Sequence, residues 1–572
     1  PGVMTTTRSI IDPITRIEGH LRVEMEVDEH GVVKDAWVSG GCYRGMEHVV
    51  EHRTPEDAAH IVQRICGVCP VSHAHASSIA AEKAYGITIP NNARIIRNML
   101  EGAQFLHSHI LWLYNLAALD YVNPIAGLSA DVDGTYELAR QLGTSTNSDL
   151  AAVAARLTKF AENGQLSIFS GNWFDADEGT AYKLPAEANL LLTTHYLEAL
   201  QMQSKASEIA ALLGGKMPHV MTLIPGGTAF VPTDQKLDDL KMLIKDLKAW
   251  VDDTVLQDTL AIAKFYGDAT TFGKGCGRYI AWGVFEGPQF PYDNDYTKQM
   301  ANRYMPSGVI DEKLNLTDPV ESLITEYVGH SWYKGEETYT SPYFVTEGEY
   351  TGYYKEEGAN DKNPGTIMDR YSWVKAPAYN GKPMEAGGLS RVLAAYLRGH
   401  KTIKPMVESV LSATGLQLTD LQSTLGRVAV RQIETVYIAE LMEQWCDELI
   451  EAVKGGESAY FSAPQITTGS GTGFWEAPRG ALYHSEKVTN GKIDGYQIII
   501  PSTWNLAPRN ESGEHGPLEQ ALIGTPIGTI EKPINALRTV HSFDPCTACA
   551  VHVSQPATGK HFETVTSPWG VK

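Results

Sequence analysis

Apolar residues recur every three or four positions through three long stretches: NNARIIRNMLEGAQFLHSHILWLYNLAALDY (91–121), AEANLLLTTHYLEALQMQSKASEIAALLGG (186–215) and LTDLQSTLGRVAVRQIETVYIAELMEQWCDELIEAVKGG (418–456). That spacing lines one face of an α-helix, and each stretch is long enough to cross a whole domain, so the pattern predicts a bundle of long helices. Ahead of them the period changes. In HLRVEMEVDEHGVVKDAWV (20–38) apolar and polar residues alternate in two runs parted by the turn residues DEHG, which predicts an N-terminal β-hairpin. Between roughly 265 and 385 neither period holds and Gly, Tyr, Asp and Pro dominate, which reads as irregular surface excursions or short strands and a candidate interface. After 455 come loops, a β-rich stretch GKIDGYQIIIPSTW (491–504) and a short helix before the last cysteines. There is no internal repeat and no low-complexity linker. The expected architecture is mainly α with smaller β parts (α+β): one large domain over 1–552, built on a long-helix bundle with an N-terminal β-hairpin region and peripheral loop and strand insertions, then a C-terminal extension over 553–572.

Composition narrows the function. A chain of 572 residues with 43% hydrophobic and 20% charged residues has an ordinary globular balance. Its formal charge of −21 argues against nucleic acid or an anionic membrane surface as partner, because both call for Lys/Arg patches. No apolar run reaches the ~18 residues of a spanning helix. The opening PGVMTTTRSIIDPITRIEGH lacks the basic-then-apolar pattern of a secretory signal, so any export is expected to be arranged by another chain.

Seven cysteines, an odd number, make no disulfide framework, but two CxxC pairs point to metal or redox chemistry. In RICGVCPVSHAH, Cys66, Cys69 and His73 stand at i, i+3 and i+7; in DPCTACAVH, Cys546, Cys549 and His552 are spaced by three. On a helix each set would share one face. Three readings stand at this point. One is a structural zinc clasp, although zinc pairs are usually ~15–20 residues apart. The second is dithiol exchange, which lacks its usual βαβ setting. The third is a redox centre of nickel or iron, which soft thiolates suit. Thiol usage alone favours a reducing compartment. The scattered Cys42, Cys276 and Cys446 read as buried small apolar residues.

The ordered set RIEGH (16–20), RICGVC (64–69), EAPRG (476–480) and DPCTACAVH (544–552) resembles the catalytic large subunit of nickel-iron hydrogenases of the uptake, membrane-associated group, from Ile10 to the end of the chain. Relatives in respiratory complex I keep a similar scaffold without the metal cysteines, so four retained cysteines favour hydrogen chemistry over a quinone-site scaffold. The resemblance implies reversible heterolytic cleavage of H2 to protons and electrons. Cys66 and Cys546 match terminal nickel thiolates, and Cys69 and Cys549 match thiolates bridging nickel to an iron that carries carbon monoxide and two cyanides. Cys546 matches the first proton acceptor and Glu18 the next. Arg479 matches a guanidinium over the metal pair, held by Asp120 and Asp544; Pro478, Pro501 and Ser502 match the cyanide side of the iron, and His73 a nearby imidazole. Without the resemblance these would read as a surface or capping Glu, a surface Arg, a helix-end Asp and a core His. Glu47, the backbone carbonyl around Ile498 and His552 match a magnesium site, sometimes occupied by iron, where Glu47 alone would read as a solvated helix charge.

The implied partners follow from what the chain lacks. It has no further cysteine cluster for iron–sulfur centres, so the resemblance implies a small subunit that carries them, in a heterodimer or a dimer of heterodimers. It implies maturation chaperones, a C-terminal endopeptidase cutting after His552, and a membrane or soluble cytochrome as acceptor. It also implies export with the small subunit to the periplasmic side of the membrane, against the cytoplasmic alternative that thiol usage suggests.

Overall fold

The computed structural model describes residues 6–169, 172–290, 295–335, 338–340 and 347–547. Cys549, His552 and the extension over 553–572 lie outside them. The described chain is about 47% helix and 16% strand, the mixed α+β class that the periodicity predicts.

The predicted hairpin is present as β2 (Leu21–Val27) and β3 (Val33–Gly40), and a strand that the alternation did not reveal, β1 (Thr7–Ile11), adds antiparallel to β2. Leu21, Val23 and Met25 from this sheet, with Ile14 from the β1–β2 connection, close over Leu537, Val540 and Phe543 near the end of the chain, forming a core of their own. First and last segments of the chain are therefore neighbours.

Next come α1 (Pro70–Tyr85) and α2 (Asn91–Leu111), which continues through a π-turn at Trp112–Ala117 and a 3-10 turn to Asp120. With α3 (Ala186–Gly214), α4 (Asp234–Phe265) and α6 (Thr424–Lys454), α2 forms the expected bundle. Thr233 and Ser423 cap α4 and α6 with side-chain oxygens, satisfying N–H groups that a helix start leaves free. Helix α6 is buried nearly all round and carries Arg427, Arg431 and Glu434 into the interior, where they must find partners. Between 265 and 385 the described chain forms short strands and turns, as expected. A shorter helix, α5 (Gly388–Leu397), leans on α6.

The last sheet positions the chemistry. Strands β4 (Gly469–Ala477), β5 (Gly480–Thr489) and β6 (Lys492–Ile499) form an antiparallel meander that packs on α1. Gly469, Gly471 and Gly473 alternate along β4, and a Cβ on any of them would run into the carbonyl oxygen of Ala84, Ala80 or Ala76 of α1. Strand and helix therefore touch backbone to backbone, and only glycine permits it. A short helix from Pro501 follows, and the described chain closes with α7 (Ile534–Ser542). Trp112 Nε1 donates to the carbonyl of His541 at 2.8 Å, tying α7 to the bundle.

Candidate metal centre

Pro70 starts α1, where its missing N–H costs nothing. The two residues that matter just before it are thus not helical: Cys66 is extended at the end of a 3-10 turn, and Cys69 is the residue that caps α1. The helical stripe expected for Cys66, Cys69 and His73 is replaced by a tight turn whose N–H groups of Val68 and Cys69 both point at Cys66 Sγ, at 3.2 and 3.3 Å. Such donors favour a thiolate over a thiol.

The second CxxC is likewise outside a helix at its first cysteine. Helix α7 ends at Ser542, Asp544 takes a left-handed conformation (φ 49°) that Asp tolerates, and the chain reverses through Pro545. Cys546 then pairs with Glu18 as a parallel β-bridge. Thr547 N donates to the Glu18 carbonyl at 2.9 Å, and Thr547 Oγ1 does so at 2.8 Å. The Cys546 N–H goes to Ser502 Oγ at 3.0 Å.

These turns bring three thiols from both ends of the sequence together. Cys66, Cys69 and Cys546 are all buried, with sulfurs within 4.8 Å of one another and the Cys66–Cys546 pair at 3.6 Å. Two thiolates on one metal, each ~2.3 Å from it, stand about this far apart. The donor set is soft and suits a transition metal. The fourth thiol of the pattern, Cys549, lies outside the described residues.

Glu18, Arg479 and His73 face this cluster. The Glu18 carboxylate oxygen Oε2 is 3.0 Å from Cys546 Sγ. Arg479 sits with Pro478 in the two-residue turn between β4 and β5, wholly buried, with Nη2 3.1 Å from Asp544 Oδ1. Its Nε and Nη1 have no hydrogen-bond partner among the described residues. Burial opposes the Arg479 charge, but Asp544 and the sulfurs of Cys546, Cys69 and Cys66 outweigh it and hold the guanidinium firmly protonated. His73 Nε2 is 3.8 Å from Cys69 Sγ, and burial pushes the imidazole down to about 4, so it is neutral. Its Nδ1 meets His484 Nε2 at 3.1 Å, and His484 Nδ1 meets the Tyr496 hydroxyl at 2.6 Å. A donor from His73 Nε2 to a Cys69 thiolate requires His484 Nε2 to donate to His73 Nδ1, which leaves His484 Nδ1 as an acceptor; the Tyr496 hydroxyl beside it also reaches Ser77 Oγ at 2.8 Å.

Asp120 departs from expectation. The resemblance assigns it to Arg479, but no hydrogen bond or ion pair joins the two among the described residues. The Asp120 carboxylate instead takes Arg16 Nη2 at 2.5 Å and His541 Nδ1 at 2.5 Å. Burial raises its pKa, and Arg16 and His541 outweigh that and hold it below the usual range. Asp120 thus braces the Glu18 segment against α7, and Arg479 has Asp544 as its carboxylate partner.

Several supporting residues had no signal in local spacing. Arg391 of α5 donates to the carbonyls of Ala477 and Pro478 at 2.8 and 2.7 Å, gripping the turn that presents Arg479. Glu434 and Glu476 hold that guanidinium in turn, and His109 Nε2 lies 2.7 Å from Glu434. Arg431 hydrogen-bonds the Ser542 carbonyl beside Asp544; burial pushes it down to about 10. His484 could have been found from strand period alone, two residues from Leu482 on one buried face. Cys446 is buried as expected, while Cys42 and Cys276 are only partly so.

Glu47 is buried rather than solvated: Oε1 accepts the Ile498 N–H at 3.2 Å and Oε2 has no hydrogen-bond partner among the described residues. Burial raises it to about 8, opposed by Lys375. A second buried carboxylate, Glu326, and Lys375 share this pocket. An orphaned carboxylate oxygen in a pocket with two carboxylates to one ammonium fits a hard cation. Ser502 stands in the first turn after Pro501, next to the thiols through Cys546.

Comparison with known proteins agrees with this geometry. The family model described as nickel-dependent hydrogenase matches residues 44–552, and one described as HoxL-like matches 9–39. The hydrogenase-2 large chain of Escherichia coli K12 is 38% identical over 96% of this chain and 97% of its own. The uptake hydrogenase large subunit of Rhizobium leguminosarum bv. viciae is 38% identical, over 96% of each chain. The solved Ni-Fe-Se hydrogenase of Desulfovibrio vulgaris Hildenborough, in its as-isolated oxidized state, superimposes with a TM-score of 0.76 at 33% identity, covering 96% of this chain and 100% of that one. With buried thiols converging as such a metal requires, the chain belongs to the nickel-dependent hydrogenase family, as the large, catalytic subunit of an oxidoreductase acting on H2.

Proposed function

We propose that Cys66, Cys69, Cys546 and Cys549 hold a nickel–iron pair whose iron carries carbon monoxide and two cyanides. When bound, that pair supplies heterolytic splitting of H2 and accepts its electrons. The chain's residues then have defined tasks. Cys546 is the first proton acceptor, and Glu18, 3.0 Å away, takes the proton onward. Arg479 brings a fixed positive charge to the site, with Nε and Nη1 lacking hydrogen-bond partners among the described residues and so able to face an anionic ligand set. Ser502 orients Cys546 through its N–H, while its own hydroxyl proton is left for the cyanide side together with Pro478 and Pro501. His73 steadies Cys69. Supporting this reading above all is the position of Glu18: a carboxylate on the sulfur at the far end of the sequence has no structural need to be there.

The finer expectations belong to the same proposal. Glu47, the Ile498 carbonyl and His552 hold magnesium or ferrous iron, for which Glu47 Oε2, without a hydrogen-bond partner among the described residues, is the supporting observation. Electrons leave through an iron–sulfur small subunit to a cytochrome, maturation proteins load the metals, and an endopeptidase removes 553–572 after His552. The complex works on the periplasmic side of the membrane. Elemental analysis with infrared spectroscopy of active enzyme tests the proposal: nickel, iron, and bands of metal-bound carbon monoxide and cyanide are expected. Stoichiometric zinc without nickel in active enzyme would overturn it.

A further inference from the structure

Behind Cys69 a row of polar side chains runs between α1 and the β5–β6 hairpin. His73 and Ser77 lie one turn apart on α1, His484 is on β5 and Tyr496 on β6, and none is more than 1% exposed. From Cys69 Sγ it is 3.8 Å to His73 Nε2, and from His73 Nδ1 it is 3.1 Å to His484 Nε2. His484 Nδ1 is 2.6 Å from the Tyr496 hydroxyl, which is 2.8 Å from Ser77 Oγ. Among the described residues these four side chains make no other hydrogen bond.

At these separations one hydrogen lies in each gap and points one way. Burial holds His73 at about 4 and His484 well below its ordinary value, and it keeps the Tyr496 phenol un-ionised, so each imidazole carries a single N–H. Two settings satisfy the row, with every hydrogen toward Cys69 or every hydrogen away from it. A thiolate accepts and does not donate. With Cys69 in that form the hydrogens run from Ser77 to Tyr496, from Tyr496 to His484, from His484 to His73 and from His73 to the sulfur. Hydroxyl hydrogens rotate, so the far end of the row can follow. Aligned in this way, each donor is polarised by the one behind it, which strengthens a bond by about 10–30%.

We propose that His484, Tyr496 and Ser77 are positioning residues of the metal centre: through His73 they strengthen the hydrogen bond on Cys69 and draw electron density off its thiolate. This role rests on Cys69 being the metal-bound thiolate of the function proposed above. No group in the row gains or loses a charge.

Neutron diffraction from crystals of the assembled, perdeuterated enzyme locates the hydrogens directly. Deuterium is expected on Nε2 of both rings and on the Tyr496 oxygen, pointing at His484 Nδ1; deuterium on Nδ1 of His73 or His484 would overturn the proposal. Infrared spectroscopy of the loaded enzyme reads the effect on the centre. A weaker donor on Cys69 leaves more electron density for the iron to return to its carbon monoxide, so that band moves to lower wavenumber. His484→Leu should move it most, Tyr496→Phe less and Ser77→Ala least, because each in turn removes fewer of the bonds behind His73, with nickel and iron contents unchanged. The last two each remove a single oxygen atom and decide the matter if His484→Leu does not assemble. A native band position in Tyr496→Phe, or equal shifts in Tyr496→Phe and Ser77→Ala, would also overturn the proposal. A native enzyme without such bands would instead sink the nickel–iron reading, and the neutron map would still decide the direction of the row.

Discussion

Replacing Glu18 by glutamine removes a proton acceptor and changes little else. The contacts that seat this segment are made by the Glu18 backbone: its N–H toward the Pro545 carbonyl at 3.4 Å, and its carbonyl under Thr547 N and Oγ1 at 2.9 and 2.8 Å. None involves the carboxylate, so Glu18→Gln leaves the bridge to Cys546 in place. An amide is nearly isosteric and still hydrogen-bonds a sulfur 3.0 Å away, but it does not take up a proton. A positioned general base contributes about 10²–10⁴ in rate, or roughly 3–5 kcal/mol of barrier. Exchange between D2 and water, followed by mass spectrometry, should therefore fall by that factor while nickel content and unfolding midpoint stay native. Exchange at the native rate in a variant retaining nickel would refute the reasoning, because protons would then leave Cys546 without Glu18.

Three further outcomes are expected. Arg479→Lys keeps a charge but loses the planar fork that meets Asp544, so turnover should drop at least ~100-fold with metals retained; a near-native rate in the electrode assay would retire the role. Arg391→Met strips Glu434 and Glu476 of their shared cation in the core, a loss of order 3–5 kcal/mol, and should lower the unfolding midpoint at fixed scan rate; an unchanged midpoint would contradict it. His195 Nδ1 lies 2.7 Å from Asp258, which outweighs burial and raises the imidazole above its ordinary 6.5. This stabilisation is whole below pH 6.5 and fades as pH rises through the higher folded value, so the native protein should lose its margin over His195→Gln on going alkaline. Parallel midpoint–pH profiles for the two proteins would exclude it.

Period was informative where one face of an element is buried and blind where backbone meets backbone. The long helices and the β2–β3 hairpin were legible because their apolar residues repeat. Strand β4 was not: GSGTG reads as a loop on composition, and its glycines have meaning only once α1 lies on them. The cysteine motifs were legible as ligands but not as geometry. A three-residue spacing suggests a helix face, yet Pro70 sets the start of α1 after Cys69 and leaves the pair in a turn. Asp120 shows the limit of resemblance: its true partners, Arg16 and His541, lie 104 and 421 residues away, and no local pattern encodes that pairing. Glu47 looked like a solvated charge because its burial depends on β6, some 450 residues on.

The position of Cys546 near the end of the sequence follows from what holds it. Its seat has two parts, the Glu18 segment and Ser502. The Glu18 segment is pinned from behind by Arg16 on Asp120, and Asp120 is pinned by His541 of α7; all three precede Asp544 in the chain. Ser502 belongs to a short buried helix closing on β6. Cys66 and Cys69 are fixed by the start of α1, and Arg479 by Arg391. Most walls of the site are thus built from residues up to 542, and the segment from Asp544 to Thr547 adds the Cys546 thiol, its backbone bridge to Glu18 and the Asp544 carboxylate that meets Arg479. The parts that hold Cys546 thus come from segments that precede it in the chain, which is the physical condition that late closure of the centre requires.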